Sequence, residues 1–419
     1  MSPSSIGIPA LISLTFVCCL GVEVVSAGDV KPRSYTLEEV LKIALEHNPS
    51  IAGAQAGIEQ SEGRKQAANA FLNPIFNGSA GRGAIRDPST GVSITEHTFS
   101  VEQPLEWLGK RSARRRAAEA GLQGAHAAVE ETRLDVSAEV KVAFYSMLLA
   151  QRHTDLAKDN LGMVEKLIEI VKIRVASGDA TRFEVMKTEV EGMKVRQDLA
   201  RARSTINTAR AELDALTAGV LGTDFVVEGE FLAFEEPPSL QLIIGRAWDQ
   251  HPTIRRLTRQ VEQAGYQVVQ EQETRIPNVT IAGTYHREAG DEAITAGLSV
   301  PVPLWYRQQG EIASAHGTKR RAEADLIRAR SSLAKAVTQQ MQEVRMAKDQ
   351  ITLFEEGFLK QAQRTVDIAR ATFQQGHAGL LDLLDAQRVY RLTVYDYAQA
   401  RFELATALVR LERSAGGTL

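Results

Sequence analysis

The residue types that most often carry out chemistry form no recognisable catalytic pattern in this chain. Eight histidines lie at positions 47, 97, 126, 153, 251, 286, 316 and 377, and no two have the i, i+4 spacing of a helical metal site. No glycine-rich phosphate loop follows a predicted strand, and no G-x-S-x-G nucleophile motif occurs. The sequence therefore predicts no enzyme, no cofactor and no resident metal site.

Two acidic side chains are the sharpest candidates for a functional role. Asp382 and Asp385 lie one turn apart at the start of a predicted helix, and Glu184 occupies the corresponding place in the first half of the chain. Carboxylates in a first helical turn complement the helix dipole. The residues alone favour this structural role.

The amino-terminal segment differs from the rest of the 419 residues. We interpret residues 1–27 as a secretory signal that ends in Val25-Ser26-Ala27, with a single membrane anchor as the alternative. Both cysteines, Cys18 and Cys19, fall inside this segment, so the mature chain would contain no thiol. No small residue precedes either cysteine, which argues against lipidation.

Bulk charge and hydropathy exclude further classes of protein. A net charge of −3 and a pI near 6.3 argue against a nucleic-acid partner. After residue 27 no stretch is long and apolar enough for a transmembrane helix. If the chain spans a membrane, the sequence predicts that it does so with β-strands.

An internal duplication organises the chain. Pro49 and Pro74 recur 203 residues later, Pro104 recurs 199 residues later, and Gly178 recurs 198 residues later as Gly376. We therefore predict two copies of one unit, at 28–219 and 239–419, joined by a linker at 220–238.

Each copy contains the same predicted elements. A proline-free stretch at 110–176 would form a helix about 100 Å long, and 308–375 is its counterpart. Each long helix ends at a glycine turn and is followed by a return helix, at 183–216 or 380–411. Heptad spacing of apolar residues predicts antiparallel coiled-coil pairs.

Between the helices the apolar period changes to two, which is typical of strands. Strands are predicted within about 75–104 and 278–303, and the second hairpin alternates more regularly than the first. Four strands cannot close a barrel, and open sheet edges are not tolerated in lipid. Oligomerisation must therefore supply further strands, and three chains would give twelve. A soluble hairpin packed on helices is the alternative for either hairpin alone.

The whole arrangement resembles the TolC-type outer-membrane factor family. The motifs that carry the resemblance are Ala-Leu-Glu-His-Asn-Pro at 44–49, the duplicated hairpins and the two helix turns at 174–185 and 373–385. The run Gln-Pro-Leu-Glu-Trp-Leu-Gly-Lys-Arg at 103–111 is similar to the heavy-metal branch, the CzcC- and CusC-like components.

The resemblance implies a fold that is mostly α with a membrane β-barrel contribution, a twelve-stranded barrel on a periplasmic α-helical tunnel. It implies an efflux duct in the outer membrane whose partners are a periplasmic adaptor and an inner-membrane pump of the RND type or an ATP-driven exporter. A duct for type I protein secretion and a periplasmic coiled-coil scaffold are the alternatives. The resemblance places Asp382, Asp385 and Glu184 at a constriction, and the adaptor-docking tips at Gly178, Thr181, Gly376, Gly379 and Leu380.

One departure from the family concerns the closed state of the tunnel. The tip arginine and tyrosine of the best-known family member correspond to Ala378 and Phe373 here. The links that close that member cannot be transferred to this chain.

Overall fold

The computed structural model describes residues 33–84, 93–288 and 290–418, with no side-chain description at 83, 84, 93 and 94. The predicted signal at residues 1–27 and the two cysteines lie outside this part of the chain. Among the described residues no helix is both long and apolar enough to cross a membrane.

The first half of the chain is dominated by one very long helix. α3 has 69 residues, close to the predicted 110–176, and contains no proline that would break its hydrogen-bond ladder. Thr36 opens α1 with a capping box to Glu39, and Pro49 begins α2 at a position where a proline costs no hydrogen bond. In chain order the elements are β1 (Arg33–Tyr35), α1 (Leu37–His47), α2 (Pro49–Asn69), β2 (Ile75–Ala84), β3 (Ser93–Leu105), α3 (Leu108–Ala176) and α4 (Arg182–Leu216).

The second half repeats this order with one interruption. Its elements are β4 (Phe225–Val227), α5 (Leu240–Gln250), α6 (Pro252–Glu273), β5 (Val279–Glu288), β6 (Asp291–Ser299), α7 (Gln309–Leu353), α8 (Leu359–Gln374) and α9 (Leu380–Ala415). A π-helical segment, Phe354–Phe358, separates α7 from α8. The sequence predicts an uninterrupted helix at 308–375, so this segment is a difference between prediction and structure.

An aromatic cluster accompanies the π-helical segment. The Phe354 ring lies 5.9 Å from the Phe358 ring and 6.0 Å from the Tyr397 ring of α9. The Tyr397 hydroxyl donates to Glu355 Oε1 at 2.8 Å. These contacts fix the wider turn against α9, and no sequence periodicity signals them.

The four longer strands form one antiparallel sheet in the order β2-β3-β5-β6. Tyr285 lies opposite Phe99 on one side and opposite Ile294 on the other, so the apolar positions of successive strands share a face. Ile294 and Leu298 are 86% and 74% exposed on that face. The opposite face carries polar side chains, and Asn77 donates there to Glu102 at 3.1 Å.

A second, small sheet lies at the middle of the helices. β1 and β4 pair in parallel, with Tyr35 opposite Val227. The Gln151 side chain of α3 bonds both the amide and the carbonyl of Val227 at 3.1 Å. The Phe225 ring is buried in the largest core cluster, beside α1 and α3. The sequence does not predict this sheet, because its strands have three residues each and lie about 190 residues apart.

Candidate functional site

The first helix turn, between α3 and α4, is a glycine cap. Gly178 has φ of +87°, a left-handed conformation that residues with a Cβ atom rarely adopt. The Gly178 amide donates to the Val175 carbonyl at 3.2 Å, and the Asp179 amide donates to the Arg174 carbonyl at 2.8 Å. This pair of hydrogen bonds is a Schellman motif, which satisfies the last carbonyls of α3.

The second turn, between α8 and α9, has the same construction 198 residues later. Gly376 has φ of +77°. Its amide donates to the Phe373 carbonyl at 3.1 Å, and the His377 amide donates to the Thr372 carbonyl at 2.9 Å. The duplication therefore extends to individual hydrogen bonds at the tips.

The acidic candidates begin the two return helices at equivalent positions. Thr181 caps α4 by accepting from the Glu184 amide at 3.4 Å. In the second copy Gly379 is the cap residue, and its amide donates to Asp382 Oδ2 at 3.1 Å. Glu184 and Asp382 are both the third residue of their helix. Asp382 therefore has a local structural role within one chain.

Asp385 also has a local partner. Its Oδ1 lies 2.5 Å from Nη2 of Arg388, one turn along α9, and both side chains are more than half exposed. Exposed pairs of this kind contribute at most about 1 kcal/mol. The structure thus places Asp382 and Asp385 in the first turns of one helix, at the tip end of the molecule.

One residue that was predicted to belong to the docking surface lies in the interior of the tip. Leu380 is only 5% exposed and packs in a small core with Leu167, Val171, Phe373 and Leu383. Its side chain is not available to a partner in this conformation. Gly178, Thr181, Gly376 and Gly379 are all exposed, and the docking role expected of them stays a prediction.

Phe373, the last aromatic residue before the second turn, belongs to this core. The Arg174 guanidinium lies 4.9 Å from the centre of the Phe373 ring, a cation–π contact that joins the two turns. A groove of about 840 Å³ runs beside this contact, lined by Met163, Ile170 and Arg370 among others. The two turns therefore form one structural unit.

One exposed face of α4 carries an apolar stripe. Phe183, Met186, Val190 and Met193 recur at spacings of three and four residues, so they share one face of the helix. Each of them is between 63% and 69% exposed. Monomeric proteins seldom expose such a continuous apolar surface, which is typical of an interaction site.

Comparison with known proteins gives this geometry a family. The model of the family described as outer membrane efflux protein matches residues 40–219 and 243–417, most of the chain. The chain belongs to the outer membrane efflux protein family. It is therefore an outer-membrane protein with a periplasmic helical tunnel, and the resemblance drawn from its motifs is confirmed.

Individual relatives agree with this assignment. The cobalt-zinc-cadmium resistance protein CzcC of Cupriavidus metallidurans is 25% identical and matches across 90% of this chain and 89% of its own length. The nickel-cobalt-cadmium resistance protein NccC of Alcaligenes xylosoxydans is 24% identical, over 76% of this chain and 73% of its own. The solved structure of CusC superimposes with a TM-score of 0.79 at 16% identity, covering 91% and 92% of the two chains, which establishes the shared fold.

Proposed function

We propose that this efflux protein acts as a homotrimeric duct that passes divalent heavy-metal cations out of the cell. In this proposal it is not an enzyme. It receives its cargo from an inner-membrane pump of the RND type through a periplasmic adaptor. Residues 1–27 direct its export, and the two copies at 28–219 and 239–419 build the duct.

The proposal rests on the four-stranded sheet, on the pairing of its edge strands and on the different polarity of its two faces. In the part of the chain that the structure describes, β2 and β6 each pair on one side only. The sheet presents an apolar face and a polar face, the alternation of a strand that lies between lipid and an aqueous lumen. Pairing of β2 in one chain with β6 in the next would close twelve strands and satisfy every edge.

The apolar stripe on α4 supports the same assembly from the helical end. Phe183, Met186, Val190 and Met193 offer the kind of seam that packs against a neighbouring helix. Full burial of each of these side chains would contribute about 1.5–3 kcal/mol to the stability of the assembly. A trimer would therefore pair the open strand edges and cover the exposed helix face.

Convergence of three tips would give the acidic residues their function. Asp382, Asp385 and Glu184 from three chains would surround one axis and favour cations in the opening. The exposed turns around Gly178, Thr181, Gly376 and Gly379 would then meet the adaptor. In this proposal Leu380 shapes the docking surface from below, since its side chain is buried.

The cargo is proposed from the printed names of the relatives together with the acidic tip. CzcC and NccC are named for resistance to cobalt, zinc, cadmium and nickel. All of these metals occur as divalent cations, whose charge is opposite to that of the carboxylates of Asp382, Asp385 and Glu184. Protein secretion through a type I system is the second candidate, since a duct of this fold could serve an RND-type pump or an ATP-driven exporter.

The test is metal accumulation in cells that lack the chain. Deletion should raise the cellular content of cobalt, zinc or cadmium several-fold after a metal challenge, measured by mass spectrometry of washed cells. The intact gene should restore the lower content. Unchanged metal content together with loss of a secreted protein from the medium would contradict the proposed cargo and favour type I secretion.

A further inference from the structure

The polar face of the sheet brings together three side chains that the sequence gives no reason to associate. Strand pairing places Glu96 of β3 beside His286 and Glu288 of β5. Their candidate ligand atoms all lie within 4.8 Å of one another. The sequence predicts no metal site, because Glu96 lies 190 residues before His286 and no helical spacing links them.

We propose that Glu96, His286 and Glu288 form a binding site for divalent transition-metal cations on the lumen face of the sheet, one site per protomer. His286 Nε2 lies 3.2 Å from Glu288 Oε2 and 3.9 Å from Glu96 Oε1. Ligands about 2.1 Å from a zinc ion at tetrahedral angles are about 3.4 Å apart. The three atoms therefore need only small side-chain movements to hold one ion, with a further position open.

The neighbour of His286 on the other side favours this role. Thr98 Oγ1 lies 2.9 Å from His286 Nδ1, directly across the β3–β5 pair. A hydrogen bond to one ring nitrogen fixes the ring orientation of a metal-binding histidine, and it leaves the other nitrogen for the ion. Here the other nitrogen is Nε2, which faces both carboxylates and lies within hydrogen-bond distance of Glu288 Oε2.

Donor chemistry selects the class of cation. One imidazole and two carboxylates suit zinc, cobalt, nickel or cadmium better than calcium or magnesium, which prefer oxygen ligands alone. All three side chains are partly exposed, between 35% and 55%. A bound ion would therefore exchange with the lumen, as a site on an exit path must allow.

The position along the strands places the site at the outer mouth. Glu288 is the last residue of β5, and α2 and α3 adjoin the opposite ends of β2 and β3. The sites therefore lie at the end of the sheet that is farthest from the periplasmic helices. Three copies in a trimer would line the last stretch of the duct. The lumen assignment rests on the proposed channel, whereas the binding of an ion requires only the folded chain.

Metal titration of the purified full-length protein in detergent tests the proposal. After washing with a chelator, the wild-type protein should bind one Zn²⁺ per protomer in a saturable manner, measured by isothermal titration calorimetry. Co²⁺ should give a visible absorption band that Zn²⁺ displaces and that excess Mg²⁺ and Ca²⁺ leave unchanged. The variant His286→Asn should lose this binding, and Glu288→Gln should weaken it about tenfold or more.

His97→Asn is the matched control, because His97 lies on the same strand as Glu96 but on the opposite face, across from Arg287. It should bind Zn²⁺ as the wild type does. The absence of saturable binding in the wild type, or equal loss in His286→Asn and His97→Asn, would overturn the proposal. Export in cells is measured in a separate experiment. If the protein exports metal but binds no Zn²⁺, the metal site is refuted and the proposed function stands. If it binds Zn²⁺ but does not export metal, the site stands and the proposed cargo is refuted.

Discussion

Asn48 and His251 make the same hydrogen bond in the two halves of the chain. Asn48 Nδ2 donates to the carbonyl of Leu216, at the end of α4, at 2.9 Å. His251 Nε2 donates to the carbonyl of Arg413, in the last turn of α9, at 3.1 Å. Both side chains are buried, and each ties the start of a short helix to the end of a return helix. Only the histidine can change its charge near neutral pH.

The first prediction is that acid weakens the fold through His251. Its Nδ1 accepts from the Thr253 amide at 3.2 Å, so both ring nitrogens are committed in the neutral form. Burial lowers the pKa of His251, although the nearby carboxylates of Glu131 and Asp135 and the Arg413 carbonyl act against the shift. The unfolded chain therefore takes up the proton first. Stability from this residue is fully present above pH ~6.5 and is lost as the pH falls through the lower folded pKa.

Thermal unfolding between pH 5 and 8 checks this prediction. His251→Asn introduces the residue found at the equivalent position of the first half, Asn48. It should reduce the loss of folding free energy on the acid side by about 1.4 kcal/mol for each unit of pKa difference, which is seen as a smaller fall in melting temperature. Some decline should remain, because burial also lowers the pKa of His153. The control is His316→Asn on an exposed helix face. An unchanged slope in His251→Asn would refute the prediction.

The second prediction concerns backbone strain at the tips. An added Cβ at Gly376 would meet no other atom within 4 Å, so only its left-handed conformation opposes substitution. Gly376→Ala should therefore destabilise the turn by about 1–2 kcal/mol. Gly162→Ala, inside α3 and equally free of contacts, should stabilise the protein by about 0.5–1 kcal/mol. Melting temperatures that shift in the same direction for both variants would contradict this account.

The third prediction is that the tips are the docking surface. Gly376→Lys places a bulky charge at the exposed turn and should abolish crosslinking to the adaptor and export, with assembly intact. Gly376→Asn is the matched variant, because asparagine tolerates the left-handed conformation and adds no charge. It should retain most export. Full crosslinking and export by Gly376→Lys would show that the adaptor binds elsewhere.

The fourth prediction concerns cation selectivity at the constriction. Asn at positions 382 and 385 keeps the size of Asp382 and Asp385 and still offers an oxygen to the Gly379 amide, so α9 should begin as before. Conductance of the double variant in planar bilayers should lose cation selectivity and block by multivalent cations.

Asp325→Asn is the control, because Asp325 pairs with Arg328 at the same i, i+3 spacing, far along the chain from the tip turns. It should conduct as the wild type does. If reversal potential and block stay unchanged in the double variant, Asp382 and Asp385 are only helix starters. Their loss would then cost about 0.3–1 kcal/mol for each dipole interaction.

The sequence predicts those parts of the fold that local patterns determine. α3 and α4 begin within two residues of their predicted starts, because proline, glycine and heptad spacing mark them directly. The β1–β4 pair and the turn at Phe354–Phe358 are not predicted. Both depend on contacts between distant segments, such as Phe354 with Tyr397, that leave no local pattern.

The candidate sites show the same division. Gly178 and Gly376 are recognisable from the sequence because a helix end favours glycine. Glu96 and His286 meet only through the pairing of β3 with β5, which a search for helical ligand spacing cannot find. A search that pairs the two predicted hairpins across the duplication could have brought them together.

The mass and location of the mature protein decide whether it assembles as an outer-membrane trimer. We predict that the mature chain fractionates with the outer membrane and that its detergent-solubilised form has three times the mass of one chain, measured by native mass spectrometry. Three copies are the number that closes twelve strands and covers the stripe that begins at Phe183. Recovery of a single chain, free in the periplasm, would refute the proposed trimeric duct.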